Sequence, residues 1–482
     1  MGLKFIKNLY ILYYSLYLIM KKLCAVLLLL TTFFGYTKAQ QTATLTGTIL
    51  SISDIHLNPY FDPSLMDQLV KANYKQWPAI FNSSAIKQPN SYNNDANFPL
   101  FVSALAAMKK QNPSPAFIII TGDFLCHSFQ SNFSKYAPNY PDSVRSFTSK
   151  TIQVMAMMFD KYFPKTVILP VLGNNDSYCG DYMIDPGGEF LKMFAKAWVP
   201  LQRNHNTAAD KAFITQFSKA GYYTYDLKDG SGGKMVMLNT VVFSTSYNNS
   251  CETSPAHPAA GELSWLQGIL RKNGAKKGKL WIAAHIPPSI DVYKTINGKG
   301  TCAENASSMW TDSCNRVFQA MVIKYASAIG AGFAGHTHMD DFRLLYDTKG
   351  TPVYFMHITP AVSPLFGNNP GFQSLTYNKS TSKLLDSKTY YFSLNTTDPA
   401  WTFEYDFRKT YGVNNITPAS LDEVRKNILS KSACLTSYIN YYDVSNPGLD
   451  GINSQNWKAY WCATGNLTTA SYTNCYCGGA LK

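Results

Sequence analysis

The sequence predicts an α/β fold, a layered β-sandwich with mixed sheets flanked by helices and followed by a small helical, disulfide-containing subdomain. Short apolar, β-branched runs alternate with longer helical patterns from residue 45 to residue 407. The early runs each end in polar residues, as strands do when their ends deliver side chains to a site. Past Tyr411 the sequence becomes rich in Asn and Tyr and carries the last four cysteines.

The individual elements are predicted from run length and periodicity. Four early strands are predicted at 45–53, 117–121, 166–172 and 279–284. Later strands are predicted at 331–334, 353–358, 388–393 and 401–407. Helical patterns cover 147–162, 261–272, 317–328 and 421–429. The predicted domains are a leader over 1–39, a catalytic domain over 40–410 and a C-terminal subdomain over 411–482.

Composition excludes disorder and restricts the partners. The chain has 482 residues, 46% hydrophobic and 15% charged, enough to bury a sizeable core. The net charge is +13, but Lys and Arg are scattered, so no specific nucleic-acid partner is predicted. A diffuse positive field favours phosphate-bearing substrates, and simple solubility explains it equally well.

The N-terminus resembles a secretory signal. Lys21 and Lys22 precede an apolar stretch, and a polar region ends at Ala39, after which we expect cleavage. Met20 is an alternative start, and residues 1–19 otherwise lengthen the leader into an anchor. No later segment is apolar enough to span a membrane. The expected location is extracellular, periplasmic in a bacterium or a lysosome-like compartment in a eukaryote.

Ten cysteines are present, and Cys24 lies in the leader. The odd remainder predicts at least one free thiol. Disulfides are expected between Cys302 and Cys314 and among the last four cysteines. Sequons beginning at Asn82, Asn305 and Asn395 predict glycosylation in a eukaryotic host.

Potential metal ligands follow the predicted strands. Asp54 and His56 face the same side of an extended segment, while Asp123 and Asn174 each follow a glycine at a strand end. Each motif has an ordinary explanation when taken alone, such as a simple turn at 173–176.

Histidines complete the set. His285 follows the run 279–284, and His336 and His338 again alternate on one segment. A lone His285 is more often a core residue, but the ordered set predicts two divalent ions. Asp54, His56 and His338 bind one ion, Asn174, His285 and His336 bind the other, and Asp123 bridges them. Two such ions hydrolyse phosphoesters.

The ordered motifs D-x-H, G-D, G-N-x-D, a single His and G-H-x-H resemble the calcineurin-like metallophosphoesterases, and more narrowly the acid sphingomyelinase-like phosphodiesterases. The resemblance covers about residues 48–410. It implies a four-layer metallophosphoesterase-type β-sandwich and attack by a metal-bridging hydroxide. It further implies that His127, four residues after Asp123, contacts the phosphate and protonates the leaving group. The segments 359–364 and 367–372 resemble the family's loop beside the active site, and the tail resembles its C-terminal subdomain.

One departure affects the catalytic set of Asp123, His127 and Asn175. The family usually has His at the position of Asn175, where it makes a second phosphate contact or donates a proton. In this chain, protonation of the leaving group is then expected from His127 or from a metal-bound water. The Gly-Asn-Asn-Asp form also resembles the endopolyphosphatase branch, so polyphosphate hydrolysis stays an alternative. Phosphomonoester hydrolysis is another alternative, and a non-catalytic binding protein is a remote one.

The substrate is predicted only by class, as a phosphodiester small molecule or lipid headgroup. The segment from Ala39 to Asp54 is too short for the saposin module of acid sphingomyelinase, so a soluble phosphodiester is expected. Candidate pocket residues are Tyr60, His127, Asn175, Phe366 and Phe372, whose aromatic members stack on a base, bind choline or simply pack.

The cofactor is expected to be two zinc ions because imidazoles dominate the ligand set, with manganese or iron also suited to these ligands. The protein is expected to be a monomer. His205, His257 and His357 have no predicted chemical role, and His357, beside the loop at Thr359, is the one to check for a contact with the ligands.

Overall fold

The computed structural model describes residues 16–23, 25, 45–204, 206–248, 251, 258–446 and 451–478. It divides into two compact units, Met1–Gly47 and Thr48–Lys482. Most of the predicted leader, together with His205 and His257, lies outside the described residues. Within those ranges, no helix has the length and apolar character needed to cross a bilayer.

Twelve strands form two six-stranded sheets, and two short strands form a separate pair. The first sheet has the order β14-β13-β12-β1-β2-β3, and the second has the order β10-β11-β9-β6-β5-β4. The strands are β1 (Thr46–Ile52), β2 (Phe117–Ile120), β3 (Val167–Pro170), β4 (Tyr223–Asp226), β5 (Lys234–Met237), β6 (Leu280–Ala283), β7 (Ile290–Asp291), β8 (Ser307–Ser308), β9 (Ile329–Ala334), β10 (Asp341–Tyr346), β11 (Pro352–Ile358), β12 (Gly371–Asn378), β13 (Leu384–Phe392) and β14 (Trp401–Asp406).

Helices precede, connect and follow these strands. The α-helices of the described residues in the second unit are Met66–Lys71, Trp77–Ser83, Phe98–Gln111, Phe129–Tyr136, Val144–Tyr162, Glu189–Trp198, Thr207–Ala220, Pro258–Asn273, Val292–Asn297, Cys302–Asn305, Asp312–Lys324, Phe407–Tyr411, Pro418–Ser430, Ser432–Tyr442, Trp457–Gly465 and Thr469–Tyr472. A π-helical turn, Thr473–Cys477, follows the last of them.

The central strands of both sheets are parallel. β1, β2 and β3 run together in the first sheet, and β5, β6, β9 and β11 run together in the second. β2 and β6 are buried at every residue, as expected of parallel strands covered on both faces. Because parallel strands end at a common edge, the residues that follow them are brought together there.

Trp281 on β6 packs the two sheets face to face. Its ring lies 5.9 Å from the ring of Phe117 on β2 and 5.0 Å from that of Tyr377 on β12. Its indole N–H donates to the carbonyl of Ser382 at 2.8 Å. Aromatic pairs at these distances add to the free energy gained by burying their area. The sandwich core therefore lies between β6 and the β2–β12 face.

The predicted α/β sandwich is confirmed, but the predicted strands do not include β4, β5, β10, β12 or the short pair β7 and β8. Phe372 is expected in a loop beside the site, but it lies in β12, fully buried, with its ring 5.4 Å from Tyr390 and 5.3 Å from Trp401. Tyr60 is also a packing residue, because it is 3% exposed and its hydroxyl donates to the carbonyl of Phe129.

The predicted Cys302–Cys314 disulfide is wrong. Cys302 pairs with Cys477, whose Cα lies 5.7 Å away, because the C-terminal tail returns to the helix at 302. Cys314 is instead a buried free thiol in the first turn of the helix Asp312–Lys324. A disulfide among the last four cysteines is confirmed between Cys462 and Cys475.

A third disulfide joins Cys179 to Cys251. Besides Cys314, the cysteines Cys126 and Cys434 are free in the described part of the chain. The prediction of at least one free thiol is therefore confirmed. The expected domain boundary near residue 410 stays a prediction.

Candidate metal centre

The seven predicted ligands lie together at the common edge of the parallel strands. They follow β1, β2, β3, β6 and β9, one or two from each strand. All are buried except His336, which is half-buried and marks the open side of the centre. They are Asp54, His56, Asp123, Asn174, His285, His336 and His338.

Asp123 occupies the middle of this cluster. Its Oδ2 lies 3.4 Å from His56 Nε2 and 3.2 Å from His285 Nε2. Asp123 belongs to two groups of possible metal ligands. One group adds Asp54 and His56, and the other adds His285 and His336. In each group, the ligand atoms lie within 4.8 Å of one another. One carboxylate between two such groups is the arrangement of adjacent cation sites.

The remaining two residues extend these groups. His338 Nε2 lies 3.5 Å from Asp54 Oδ1 and 3.2 Å from His56 Nε2. Asn174 Oδ1 lies 2.9 Å from His285 Nε2. The structure therefore places His338 beside the Asp54 group and Asn174 beside the His285 group, as the sequence predicts.

Hydrogen bonds fix the tautomers of two histidines. His56 Nδ1 lies 2.8 Å from the carbonyl of Leu125, and His285 Nδ1 lies 2.7 Å from the carbonyl of Thr121. A carbonyl oxygen only accepts, so each Nδ1 carries a hydrogen and Nε2 is the ring nitrogen left to face the neighbouring carboxylates. The facing Nε2 atoms of His56 and His338 then need a cation between them, which fits a divalent metal.

The charges of the cluster favour bound cations. Burial alone would raise the pKa of Asp123, but His285 and His56 hold it well below its usual value. Burial lowers the pKa of His336 to about 4 and of His338 to about 3, so both rings are neutral. Against the effect of burial, Asp123 raises the pKa of His56 to about 10 and of His285 to about 9. Because imidazoles bind metals in their neutral form, a bound cation must displace a proton from each of these two rings.

The backbone is left-handed at five ligands. The φ angles are 47° at Asp54, 45° at His56, 56° at Asp123, 71° at His336 and 65° at His338. This conformation costs an L-residue roughly 1–2 kcal/mol. Residues persist in it only where their surroundings fix them, and such residues concentrate at functional sites.

Two motif glycines permit close approach of the loops. A Cβ on Gly173 would lie 2.0 Å from Asp123 Oδ1, and one on Gly335 would lie 2.0 Å from Ser53 Oγ. Neither contact is sterically allowed. The glycines of G-N-x-D and G-H-x-H are therefore required because ligand carboxylates and their neighbours pass directly over them.

Asp176 ties the loops after β2 and β3 together. Its carboxylate accepts the backbone N–H of Gly173 at 2.8 Å, Asp123 at 3.1 Å, Phe124 at 2.8 Å and Leu125 at 3.2 Å. Burial and the Asp123 charge raise its pKa to about 7, against the lowering effect of these donors. The G-N-x-D motif therefore needs Asp at its last position because this carboxylate accepts hydrogen bonds from both loops.

The open side of the centre carries His127 and Phe366. The His127 ring stacks on His56 at 4.1 Å, and its side chain is 31% exposed. Phe366 is 54% exposed, with its ring 4.7 Å from that of His338. Among the candidate pocket aromatics, Phe366 is therefore the one beside the cluster.

Sequence reasoning missed Asp95 and Tyr182. Asp95 Oδ1 lies 3.1 Å from His127 Nδ1, and Tyr182 OH lies 3.5 Å from His336 Nε2. Neither residue stands in a spaced motif, so only the folded structure identifies them. The ring of His357, in contrast, hydrogen-bonds Gln373 at 2.9 Å, within the sandwich.

Two family models match this chain. The calcineurin-like phosphoesterase model matches residues 47–340, more than half of the chain. The chain belongs to the calcineurin-like phosphoesterase family. The acid sphingomyelin phosphodiesterase C-terminal region model matches residues 351–481 of this phosphoesterase.

Curated relatives match over most of the chain. Human acid sphingomyelinase-like phosphodiesterase 3b is 27% identical over 453 residues, covering 89% of this chain and 90% of the relative. Bovine cyclic GMP-AMP phosphodiesterase SMPDL3A is 26% identical over 449 residues, with the same two coverages. This phosphoesterase is thus a hydrolase. A solved yellow lupin purple acid phosphatase, PPD1, aligns with 73% of this chain and 52% of its own, at 10% identity and a TM-score of 0.36.

The C-terminal part of this phosphoesterase supports the loop that carries Phe366. The side-chain amide of Asn369 donates to the carbonyl of Val444 at 2.8 Å, and Asn446 donates to the carbonyl of Gly367. Val444 has a φ of 56°, unusual for a β-branched residue. The segment after the helix Ser432–Tyr442 therefore helps to define the rim of the metal centre.

Proposed function

We propose that this protein is an exported two-metal phosphodiesterase that hydrolyses a soluble phosphodiester. The observation that carries the proposal is the pair of candidate ligand groups that share Asp123, with the partly exposed His127 stacked on His56 of one group. A single cation site would not need a carboxylate facing histidines on both sides.

The two ions would be held by the residues that the sequence predicts. Asp54, His56 and His338 would bind one, Asn174, His285 and His336 the other, and Asp123 both. When bound, such ions polarise the phosphoester and make a water nucleophilic at neutral pH. Zinc is the proposed metal because four imidazoles contribute to the set, and manganese and iron are the alternatives to test.

His127 is proposed to donate a proton to the leaving oxygen. Its Nδ1 faces Asp95, so Nε2 is the nitrogen left to act on a substrate. Asn175 is proposed to orient Asp123, because its backbone N–H and its side-chain amide both donate to that carboxylate, at 2.9 and 3.0 Å. Proton donation then falls to His127 rather than to a residue at position 175.

Phe366 is proposed to contact the leaving group. An exposed aromatic ring beside a phosphate site can stack on a nucleobase or bind a quaternary ammonium. Relatives are named both as a cyclic GMP-AMP phosphodiesterase and as acid sphingomyelinase-like phosphodiesterases. These names support nucleotide diesters and choline-bearing diesters as the first substrates to compare.

Export is supported by two features. The described part of the chain has three disulfides, and such bonds persist in oxidising compartments. The sequence from Lys21 to Ala39 has the order of a secretory signal.

The proposal is tested by assaying protein lacking residues 1–39 on a chromogenic phosphodiester and its matching monoester, with and without zinc. We expect metal-dependent diester cleavage that is lost in Asp123→Asn, while circular dichroism shows the variant still folded. Faster monoester than diester cleavage would assign a phosphatase instead. Hydrolysis of polyphosphate alone would assign the endopolyphosphatase activity, and two bound metals without any turnover would favour a binding role.

A further inference from the structure

We propose that Asp95 is a positioning residue that holds His127 in the one orientation from which Nε2 reaches the leaving oxygen. The inference rests on the proposed phosphodiesterase function. Asp95 lies outside every motif, on the segment before the helix Phe98–Gln111, and its side chain is 6% exposed.

Both carboxylate oxygens of Asp95 are engaged. The backbone N–H of His127 donates to Oδ2 at 2.7 Å, and His127 Nδ1 lies 3.1 Å from each oxygen. The Ser363 hydroxyl donates to Oδ1 at 2.8 Å. Three contacts from two separate loops leave the carboxylate a single position, so it is a fixed anchor rather than a mobile surface charge.

The anchor determines the tautomer of His127. An ionised carboxylate only accepts hydrogen bonds, so Nδ1 of His127 carries a hydrogen. Nε2 is then the nitrogen that can gain or lose a proton. Burial alone would raise the pKa of Asp95, but its hydrogen bonds to His127 and Ser363 hold the pKa below its usual value. The carboxylate is thus ionised throughout the physiological range.

Stacking supplies the second constraint on the ring. His127 lies on His56 with an interplanar angle of 24° and meets the Phe366 ring edge-on at 5.5 Å. A partly exposed imidazole held by stacking alone would still rotate about its Cβ–Cγ bond. The hydrogen bonds to Asp95 prevent that rotation. A proton donor acts efficiently when it is held close to the reactive geometry before the reaction begins.

Ser363 connects this anchor to the metal centre. Its backbone N–H donates to the carbonyl of Asp54 at 3.0 Å, while its hydroxyl holds Asp95. The side-chain amide of Asn368 donates to the Ser363 carbonyl at 3.1 Å. Ser363 therefore fixes the position of Asp95, and through it His127, relative to Asp54.

The step that Asp95 would assist is proton transfer to the leaving group. As the bond between phosphorus and the leaving oxygen breaks, the doubly protonated His127 ring gives its Nε2 proton to that oxygen and becomes the neutral Nδ1–H form. Water supplies hydroxide to phosphorus and releases its other proton to solvent. The products are a phosphomonoester and an alcohol, and His127 regains its proton from solvent. A leaving group that departs as a stable anion, such as 4-nitrophenolate, needs this proton least.

The test compares two diesters that differ in leaving group, a 4-nitrophenyl diester and an alkyl or nucleoside diester. For Asp95→Asn we expect kcat on the poor leaving group to fall by about 100-fold, with less than a tenfold fall on the 4-nitrophenyl substrate. KM and bound metal should change little. His127→Ala should show the same pattern, and the double variant should lose no more than His127→Ala alone.

Two further variants keep the test sharp. Ser363→Ala removes one of the three contacts and should give the same leaving-group pattern in a milder form. Asp229→Asn is the matched control, because that carboxylate also accepts hydrogen bonds from a serine and an aromatic residue, Ser231 and Tyr377, but precedes β5 at the opposite edge of the sheet. It should leave both activities unchanged.

Nitrogen-15 NMR of the His127 ring decides the positioning claim without turnover. We expect a single Nδ1–H tautomer in the wild type and a mixture in Asp95→Asn. Three results for Asp95→Asn would overturn the inference. They are an equal fall in kcat on both substrates, a loss of bound metal, and a His127 tautomer unchanged from the wild type. A wild type that keeps its metals and the fixed tautomer but cleaves no diester would overturn the proposed function and leave the positioning of His127 standing.

Discussion

Asn175 donates two hydrogen bonds to the carboxylate of Asp123, one from its backbone at 2.9 Å and one from its side-chain amide at 3.0 Å. The residue is 4% exposed and faces the ligand rather than the open side. A position that the family resemblance assigns to a phosphate contact is thus used here to orient the shared ligand.

Replacing Asn175 by Ala should therefore impair metal binding. The backbone bond would remain, but Asp123 would lose the donor to Oδ2. Removing such a support typically costs about 10–100-fold in metal affinity or activity. Metal content after dialysis and kcat/KM would measure the loss, and Asn297→Ala, an exposed asparagine, is the control. Unchanged metal retention would show that Asp123 does not need this bond.

Gly335→Ala should destabilise the protein and disrupt the metal centre. The added Cβ would lie 2.0 Å from Ser53 Oγ and 2.6 Å from Asp54 Oδ2. We expect a loss of about 2–3 kcal/mol in unfolding free energy from this overpacking. Gly268→Ala is the matched control, since nothing lies within 4 Å of its Cβ inside the helix Pro258–Asn273. That change should stabilise by roughly 0.5–1 kcal/mol. Equal denaturation midpoints would contradict the steric argument.

Cys477→Ser should release Cys302 as a new free thiol and lower stability. The disulfide joins residues separated by 175 positions, and removing a native disulfide typically costs about 2–5 kcal/mol. Peptide mapping under non-reducing conditions would identify the pairs, and thermal melts would measure the loss. Cys314→Ser should leave all three disulfides intact. A Cys302–Cys314 peptide in the wild type would contradict the structure.

Glu262→Gln should become more stable than the wild type as pH rises. Glu262 is fully buried, and burial raises its pKa well above its ordinary value of 4.5 despite the N–H of Asn239 donating to it. The folded state then binds a proton that the unfolded state releases, so wild-type stability falls as pH rises from 4.5 through the folded pKa.

Gln keeps the acceptor for Asn239 but has no charge, so the variant loses this pH dependence. Denaturant unfolding at pH 5 and pH 8 would measure the difference between the two proteins. Glu423→Gln, at an exposed position, should show no such trend. If the difference in unfolding free energy between Glu262→Gln and the wild type is the same at pH 5 and pH 8, the Glu262 carboxyl is charged across this range.

The sequence predicts that the candidate ligands cluster, because strand ends and glycines leave local signals. Asp54, Asp123 and His285 each follow an apolar run, and parallel strands bring such positions to one edge regardless of loop detail. The β10 strand was missed because Asp341 and Arg343 interrupt its apolar pattern, and these two side chains neutralise each other inside the fold.

Tertiary contacts explain the other errors. Asp95 stands in an Asn-rich stretch with no spacing that relates it to His127, and their contact spans 32 residues. Cys302 and Cys314 are close in the chain, but disulfide partners are set by where Cα atoms meet in space. Phe372 ends a segment that is expected to form a loop, and only the folded structure shows that it pairs with Tyr390 in β12 and β13 and is buried.

The left-handed backbone at five ligands bears on how this enzyme can evolve. Few residue types tolerate that conformation, so the centre accepts almost no replacement even where another side chain could bind a metal. His127, Phe366 and Tyr182 lie at the rim, and of these the backbone is left-handed only at Tyr182. We expect natural variation and laboratory selection to alter substrate range at the rim while the centre stays fixed. One inherited metal site could in this way serve many phosphodiesters.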